Sequence, residues 1–155
     1  MPDSSPAQPR TEVAVGLIED GHGRLLMASR PAGKVYAGWW EFSGGKCEPG
    51  ESAEQALSRE LKEELGMEVL HATPFDAVDY DYSHARVALR FFKVKGWRPV
   101  HTNKGLEARE GQQLLWVSPQ GPLPFPLLPA SLPVIKALAL EALTSGLYSD
   151  ARPKA

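Results

Sequence analysis

Apolar and polar positions alternate in short runs along this chain, and the period turns from strand-like to helical in two segments. "TEVAVGLI", residues 11–18, and "RLLMASR", residues 24–30, read as strands, with "EDGHG" between them carrying the chemistry of a hairpin turn. "PAGKVYAG" reads as a loop, and "WWEF" as a short aromatic strand running into the turn-rich "SGGKCEPGE". From Ser52 to about Leu65 the spacing becomes helical. Ala53, Ala56, Leu57, Leu61 and Leu65 form one apolar stripe, and Gly66 ends it. Strand patterns follow in "MEVL", "FDAVDYDY", "ARVALRFFKVKGW" and "QQLLWVS". A Pro-rich connector, "PQGPLPFPLLP", leads to a last helix near "SLPVIKALALEAL", with Ser131 predicted as its N-cap and Pro133 in its first turn.

No repeat is present, and strands and helices mix without regular βαβ alternation. The pattern predicts an α+β class, a sandwich around a mixed sheet. Residues 1–10, rich in Pro and Ser, are expected to form a disordered tail, residues 11–145 one domain, and 146–155 a flexible C-terminal tail. At 155 residues the chain is too short for two comfortable cores.

Charge changes this picture locally. The formal net charge is −2, yet Gly45 to Glu68 holds seven acids against Lys46, Arg59 and Lys62, a local −4. The remaining 12 acids and 14 bases leave +2 elsewhere, so the acidity belongs to a site rather than to the whole surface. A single cysteine, Cys47, excludes an internal disulfide and a cysteine-built zinc site, and reads as a small buried hydrophobe. The N-terminus has no basic start followed by an apolar run, and no stretch approaches the roughly 20 apolar residues of a membrane span. A soluble, cytoplasmic protein with no membrane association is expected. No basic stripe favours stable nucleic-acid binding.

A Glu-rich helix face is ordinarily a solvated one. Here Glu60, Glu63 and Glu64 share one side of the predicted helix, and Gly44, Gly45 and Gly50 lie in the loop at its mouth. Hard divalent cations take carboxylate and carbonyl oxygens and keep positions open for water and phosphate, and a glycine loop exposes backbone atoms without obstruction. The combination suits a metal and a polyphosphate.

The stretch from Gly45 through Glu51, Arg59-Glu60-Leu61, Glu63-Glu64 and Gly66-Met67 resembles the complete Nudix box, G-x5-E-x7-R-E-U-x-E-E-x-G-U, at nine constrained positions in 23. The resemblance implies an α/β/α sandwich around a mixed sheet, with the loop-helix unit and a C-terminal helix. It implies that Glu60, Glu63 and Glu64 bind Mg²⁺ or Mn²⁺ with help from the Gly45 carbonyl, and that Arg59 pairs with Glu51. The implied chemistry is attack of water on phosphorus in a nucleoside diphosphate linkage.

The likeness extends over about residues 11–143. "WEFSGGKCEPGE" resembles the W-E-F-P-G-G-K-x-E-P-G-E segment of the MutT branch, with Ser43 where that branch has proline. "REGQQLLWVS" resembles its E-G-Q…W segment, which places Glu110 near the metals, and "PLLPASLPVIKAL" its tail segment, whose helix start reaches the base. The implied substrate contacts are Arg30, Phe42, Gly44, Lys46, His84 and Ser131. Trp40 reads as core, and His101, like His84 taken alone, as a turn residue rather than a ligand. The enteric type has asparagine where this chain has Ser131, and Asp-Arg where it has His84-Ala85.

The expected function is divalent-metal-dependent hydrolysis of a nucleoside triphosphate to monophosphate and pyrophosphate, with 8-oxo-dGTP the first substrate. Because CTP pyrophosphohydrolases share "WEF.GGK" and "Q.L.W.SP", CTP or a modified dCTP is the alternative. A regulatory module that binds nucleotide without hydrolysis is a third reading, opposed by the retained Glu51, Glu60, Glu63 and Glu64. A monomer or a homodimer is expected.

Overall fold

The computed structural model describes the backbone of residues 9–150 and the side chains of residues 9–145. Residues 1–8 and 151–155 of the predicted tails lie outside the described residues; the expected flexible tail is corrected at 146–150, where the backbone continues the last helix to Asp150, and Arg10 lies on the fold, ion-paired with Asp81 at 2.8 Å.

Strand alternation decides where the two helices go. In β1 (Thr11–Ile18), Val15 and Leu17 project to one side, and Ala14 and Ile18 to the other. The same division holds in β2 (Leu25–Ser29), where Leu25 and Met27 oppose Leu26. β3 (Trp40–Phe42), β4 (Gly44–Lys46), α1 (Ala53–Leu65), β5 (Met67–Asp81), β6 (Arg86–Pro99) and β7 (Leu114–Val117) follow. A 3-10 turn, Pro129–Ser131, then leads into α2 (Leu132–Asp150). Ala56, Leu57, Leu61 and Leu65 of α1 complete the core with Ala14 and Ile18, whereas Val134, Ile135 and Leu138 of α2 complete it with Val15 and Leu17. Both faces of the strand layer are thus covered by helix, the α/β/α arrangement that the resemblance implied.

The strands form two sheets. One is mixed, in the order β4-β1-β6-β5, with β1 parallel to β6 and antiparallel to β4. The other is antiparallel, in the order β3-β2-β7. The predicted β1–β2 hairpin is corrected here: only the bridge Glu19↔Leu25 joins the two strands before they part into separate sheets. The turn itself is ordered by Asp20, whose carboxylate accepts from the backbone N–H of His22 at 2.8 Å and of Arg24 at 3.0 Å.

Four further expectations change. "MEVL" and "FDAVDYDY" are one strand, β5, broken by register shifts near His71 and between Pro74 and Asp76. Proline is tolerated there because β5 is the sheet edge, where one row of N–H groups has no partner to lose. The second half of "WEFSGG" is a strand rather than a loop, as β4 pairs with β1. Ser131 closes the 3-10 turn instead of capping α2 from extended backbone, and it is buried. Cys47, predicted as buried, is half-buried.

Helix α1 is bounded as its sequence requires. Ser52 and Gln55 form a reciprocal capping box, and Gly66, at φ 62°, takes the left-handed position past the last turn.

Candidate active site

Two glycines bring the strand layer against the acidic helix. A methyl group at Gly44 would overlap the Ala14 carbonyl oxygen, and one at Gly45 would overlap the Glu60 carboxyl. The missing side chains therefore set both the β4–β1 pairing and the approach of Glu60 to the strand.

Arg59 fastens the loop to the helix. Its Nε and Nη2 donate to Glu51 at 2.8 and 2.8 Å, its Nη1 to Glu60 at 2.9 Å, and its Nη2 to the Lys46 carbonyl at 3.0 Å. Glu51 also accepts from the Glu48 backbone N–H at 2.9 Å. The guanidinium bonds, then that backbone bond, hold the Glu51 carboxyl down at about 2. Glu51 and Arg59 stand behind the wall of the cavity; they are absent from its lining.

The cavity itself has a volume of about 740 Å³. Arg30, Phe42, Gly44, Gly45, Lys46, Glu60, Glu63, Glu64, His84, Glu110 and Ser131, all singled out in the sequence, line it. Glu60, Glu63, Glu64, Glu110 and Glu41 place five carboxylates on its wall against the cations Arg30, Lys34 and Lys46. Burial, followed by the charges of Glu110 and Glu60, pushes the Glu64 carboxyl up to about 9. Burial also raises Glu41, with Arg30 and Lys34 acting against it.

Among the described residues no three acidic, histidine or cysteine side chains already converge as a metal cage. Glu60 is turned to Arg59, and the Glu63 side chain is 59% exposed. The donor chemistry nevertheless fits a hard divalent cation. The candidate ligands are all oxygen, the backbone at Gly45 runs directly against the Glu60 carboxyl, and the carboxylates exceed the cations on the wall.

Another part of the cavity lining is aromatic and apolar, with Tyr36, Phe42, Tyr82 and Phe91 among it. Tyr36 contacts Trp39, His84 and Tyr82, with ring centroids 5.1, 5.5 and 5.9 Å apart. Its backbone adopts φ 60°, a left-handed conformation unfavourable for a tyrosine. Arg30 holds this loop in place: its Nε donates to the Val35 carbonyl at 2.6 Å and its Nη1 to Glu41 at 3.0 Å. In this arrangement Arg30 is engaged with protein groups on the cavity wall.

Glu41, Tyr36 and Tyr82 were not singled out in the sequence, and Gln112 stood there only as part of the E-G-Q likeness. Glu41 sits inside the quoted "WEF" and its acidity was a usable signal. Tyr36 and Tyr82 are 46 residues apart, and only the fold joins them.

A model of the NUDIX domain family matches residues 14–137. The chain is 44% identical over 133 residues to the CTP pyrophosphohydrolase of Escherichia coli, covering 84% of this chain and 93% of the relative. It is 40% identical over 105 residues to the 8-oxo-dGTP diphosphatase of Proteus vulgaris, covering 68% of this chain and 94% of the relative. A solved MutT structure, described for Aliivibrio salmonicida and Vibrio cholerae, superimposes with a TM-score of 0.67 at 32% identity, covering 86% of this chain and 99% of that one. With the box, the two-sided sandwich and these likenesses in agreement, the chain belongs to the Nudix family of hydrolases.

Proposed function

We propose that the protein hydrolyses nucleoside triphosphates to the monophosphate and pyrophosphate, with 8-oxo-dGTP as its first substrate. The observation that carries this reading is the single cavity in which Glu60, Glu63, Glu64 and Glu110 face an apolar and aromatic wall. One side suits cation-bound phosphates, the other a flat base. A volume of about 740 Å³ is within the range of cavities that take up a ligand of this size.

Nudix hydrolases work with divalent metal, here Mg²⁺, and Glu60, Glu63, Glu64, Glu110 and the Gly45 carbonyl are the groups that would hold it. The metal supplies charge neutralisation for the phosphates and acidity for the attacking water. The remaining work is done by side chains. Arg59 keeps Glu60 against β4 by bonding Glu51, Glu60 and the Lys46 carbonyl at once. Lys46 and Lys34 add positive charge on the wall, where phosphate oxygens need it. Phe42 and Ser131, both buried in the base-side wall, exclude water from that end. The water that attacks phosphorus gives its proton to a carboxylate of the cluster, and pyrophosphate leaves.

A cytosine nucleotide, CTP or 5-methyl-dCTP, is the second reading. It is favoured by the likeness to the CTP pyrophosphohydrolase over 84% of the chain, and by Ser131, whose single hydroxyl offers less than an amide for reading a guanine edge. A site polar contact of that kind is worth about 1–3 kcal/mol, or roughly 5- to 150-fold in discrimination. The test is kcat/KM for pyrophosphate release from 8-oxo-dGTP, dGTP, CTP and 5-methyl-dCTP. A clear preference for 8-oxo-dGTP supports the first reading, and preference for a cytosine nucleotide selects the second. Nucleotide binding without release from any of the four would defeat the hydrolase reading.

A further inference from the structure

The segment that carries Glu110 to the cavity is irregular, and it is fastened to the acidic helix at its weakest chemical point. The last carbonyls of any α-helix have no partner within the helix. In α1 those carbonyls are met by residues of the segment between β6 and β7. Glu107 N–H donates to the Leu65 carbonyl at 2.9 Å, and Arg109 N–H to the Glu64 carbonyl at 3.0 Å. The Arg109 guanidinium donates to the Lys62 carbonyl at 3.1 Å.

One side chain closes this set. Gln112, 7% exposed, donates from Nε2 to the Glu64 carbonyl at 3.1 Å and accepts at Oε1 from the Glu110 backbone N–H at 2.8 Å. A single buried amide thus bonds the main chains of Glu64 and Glu110, two residues whose carboxylates line the same cavity and repel each other. Both ends of the amide are used, and no shorter or apolar side chain can make both bonds.

We infer that Gln112 is a positioning residue, which holds the main chain of Glu110 beside Glu64 so that both carboxylates face the cavity before cation and substrate arrive. The inference rests on the proposed hydrolase function for its catalytic consequence, but the tether has its own readout. Groups that orient ligating side chains typically matter by about 10- to 100-fold in metal affinity or activity. Gln112→Met keeps the volume and removes both bonds. It is expected to lower kcat by about 10- to 100-fold with KM for the nucleotide little changed, and to weaken Mn²⁺ binding to the protein without nucleotide by several-fold or more.

The discriminating experiment is a double-mutant comparison. If Gln112 acts through Glu110, Gln112→Met added to Glu110→Gln costs nothing further. Additive losses would show that Gln112 supports the fold independently, and wild-type kcat in Gln112→Met would overturn the inference outright. Should Gln112→Met fail to fold, Gln112→Glu provides the same reading: it keeps the acceptor for Glu110 N–H, loses the donor to the Glu64 carbonyl, and is expected to lower kcat as well. Amide hydrogen exchange at Glu110 separates this inference from the hydrolase reading. Faster exchange in Gln112→Met by tenfold or more is expected even if the wild type releases no pyrophosphate, and unchanged exchange removes the tether whatever the activity.

Discussion

Arg59 has its guanidinium within hydrogen-bonding distance of two carboxylates and a carbonyl, and no other residue type offers that many donors in a fixed fork. Replacing it with lysine keeps a charge but loses the fork, so Arg59→Lys is expected to lower kcat by about 10- to 100-fold, read in steady-state kinetics. Its partner sets an acid limit on stability. The Glu51 carboxyl, at about 2 in the folded chain against an ordinary 4.5, contributes stability that is complete above about 4.5 and lost as pH falls through about 2. Urea midpoints of wild type and Glu51→Gln should therefore differ at pH 6 and converge as pH falls from about 4.5 towards 2; a constant gap would contradict the assignment. Ser43 is a different case. Its hydroxyl is buried with no hydrogen-bond partner among the described residues, at the position where the MutT segment has proline. Ser43→Ala is expected to raise stability by about 1 kcal/mol in urea titration, because an unsatisfied buried polar group is removed. Tyr36 was hidden in a loop in the sequence, yet its ring meets three others at the cavity. Tyr36→Ala should raise KM several-fold with kcat nearly unchanged; the reverse pattern would place the ring's effect on chemistry instead of binding.

At the level of elements, α1 is the part of the chain whose sequence and structure coincide most closely. Its apolar stripe, its capping box and Gly66 are all local signals, and each acts within a few residues. Leu61 is fully buried and reaches the strand layer at Gly16, where a methyl group would come within 3.1 Å of its side chain. Leu61→Ala should cost about 2–5 kcal/mol in urea unfolding. Strand pairing was less legible because partners are chosen by distant sequence. "EDGHG" does make a tight turn, but β1 finds β6, some 76 positions away by register, and β2 finds β7. β4 was concealed by its two glycines, which usually mark turns and here permit close approach to Ala14 and Glu60. The join of "MEVL" with "FDAVDYDY" was hidden by Pro74, whose meaning depends on β5 being an edge.

On the scale of the whole molecule, the sandwich brings two chemically opposed walls to one cavity. The acidic wall was legible for the most part: Glu60, Glu63 and Glu64 lie within one 23-residue motif and Glu110 in the "REGQQLLWVS" segment, whereas Glu41 was not singled out. The apolar and aromatic wall was legible only in part. Phe42 and Ser131 stood in segments of recognisable pattern, whereas Tyr36 and Tyr82 reach the same space from segments 46 residues apart. No described helix is long and apolar enough to cross a membrane. The central claim is that the carboxylate cluster performs metal-assisted cleavage of a nucleoside triphosphate. Its most direct test is the product analysis of 8-oxo-dGTP and CTP incubated with wild type and with Glu64→Gln, each with and without Mg²⁺. Monophosphate and pyrophosphate are expected from the wild type only when Mg²⁺ is present, with a loss of about 100-fold or more in Glu64→Gln if its carboxylate holds the metal. Release of inorganic phosphate in place of pyrophosphate, or full activity in Glu64→Gln, would contradict it.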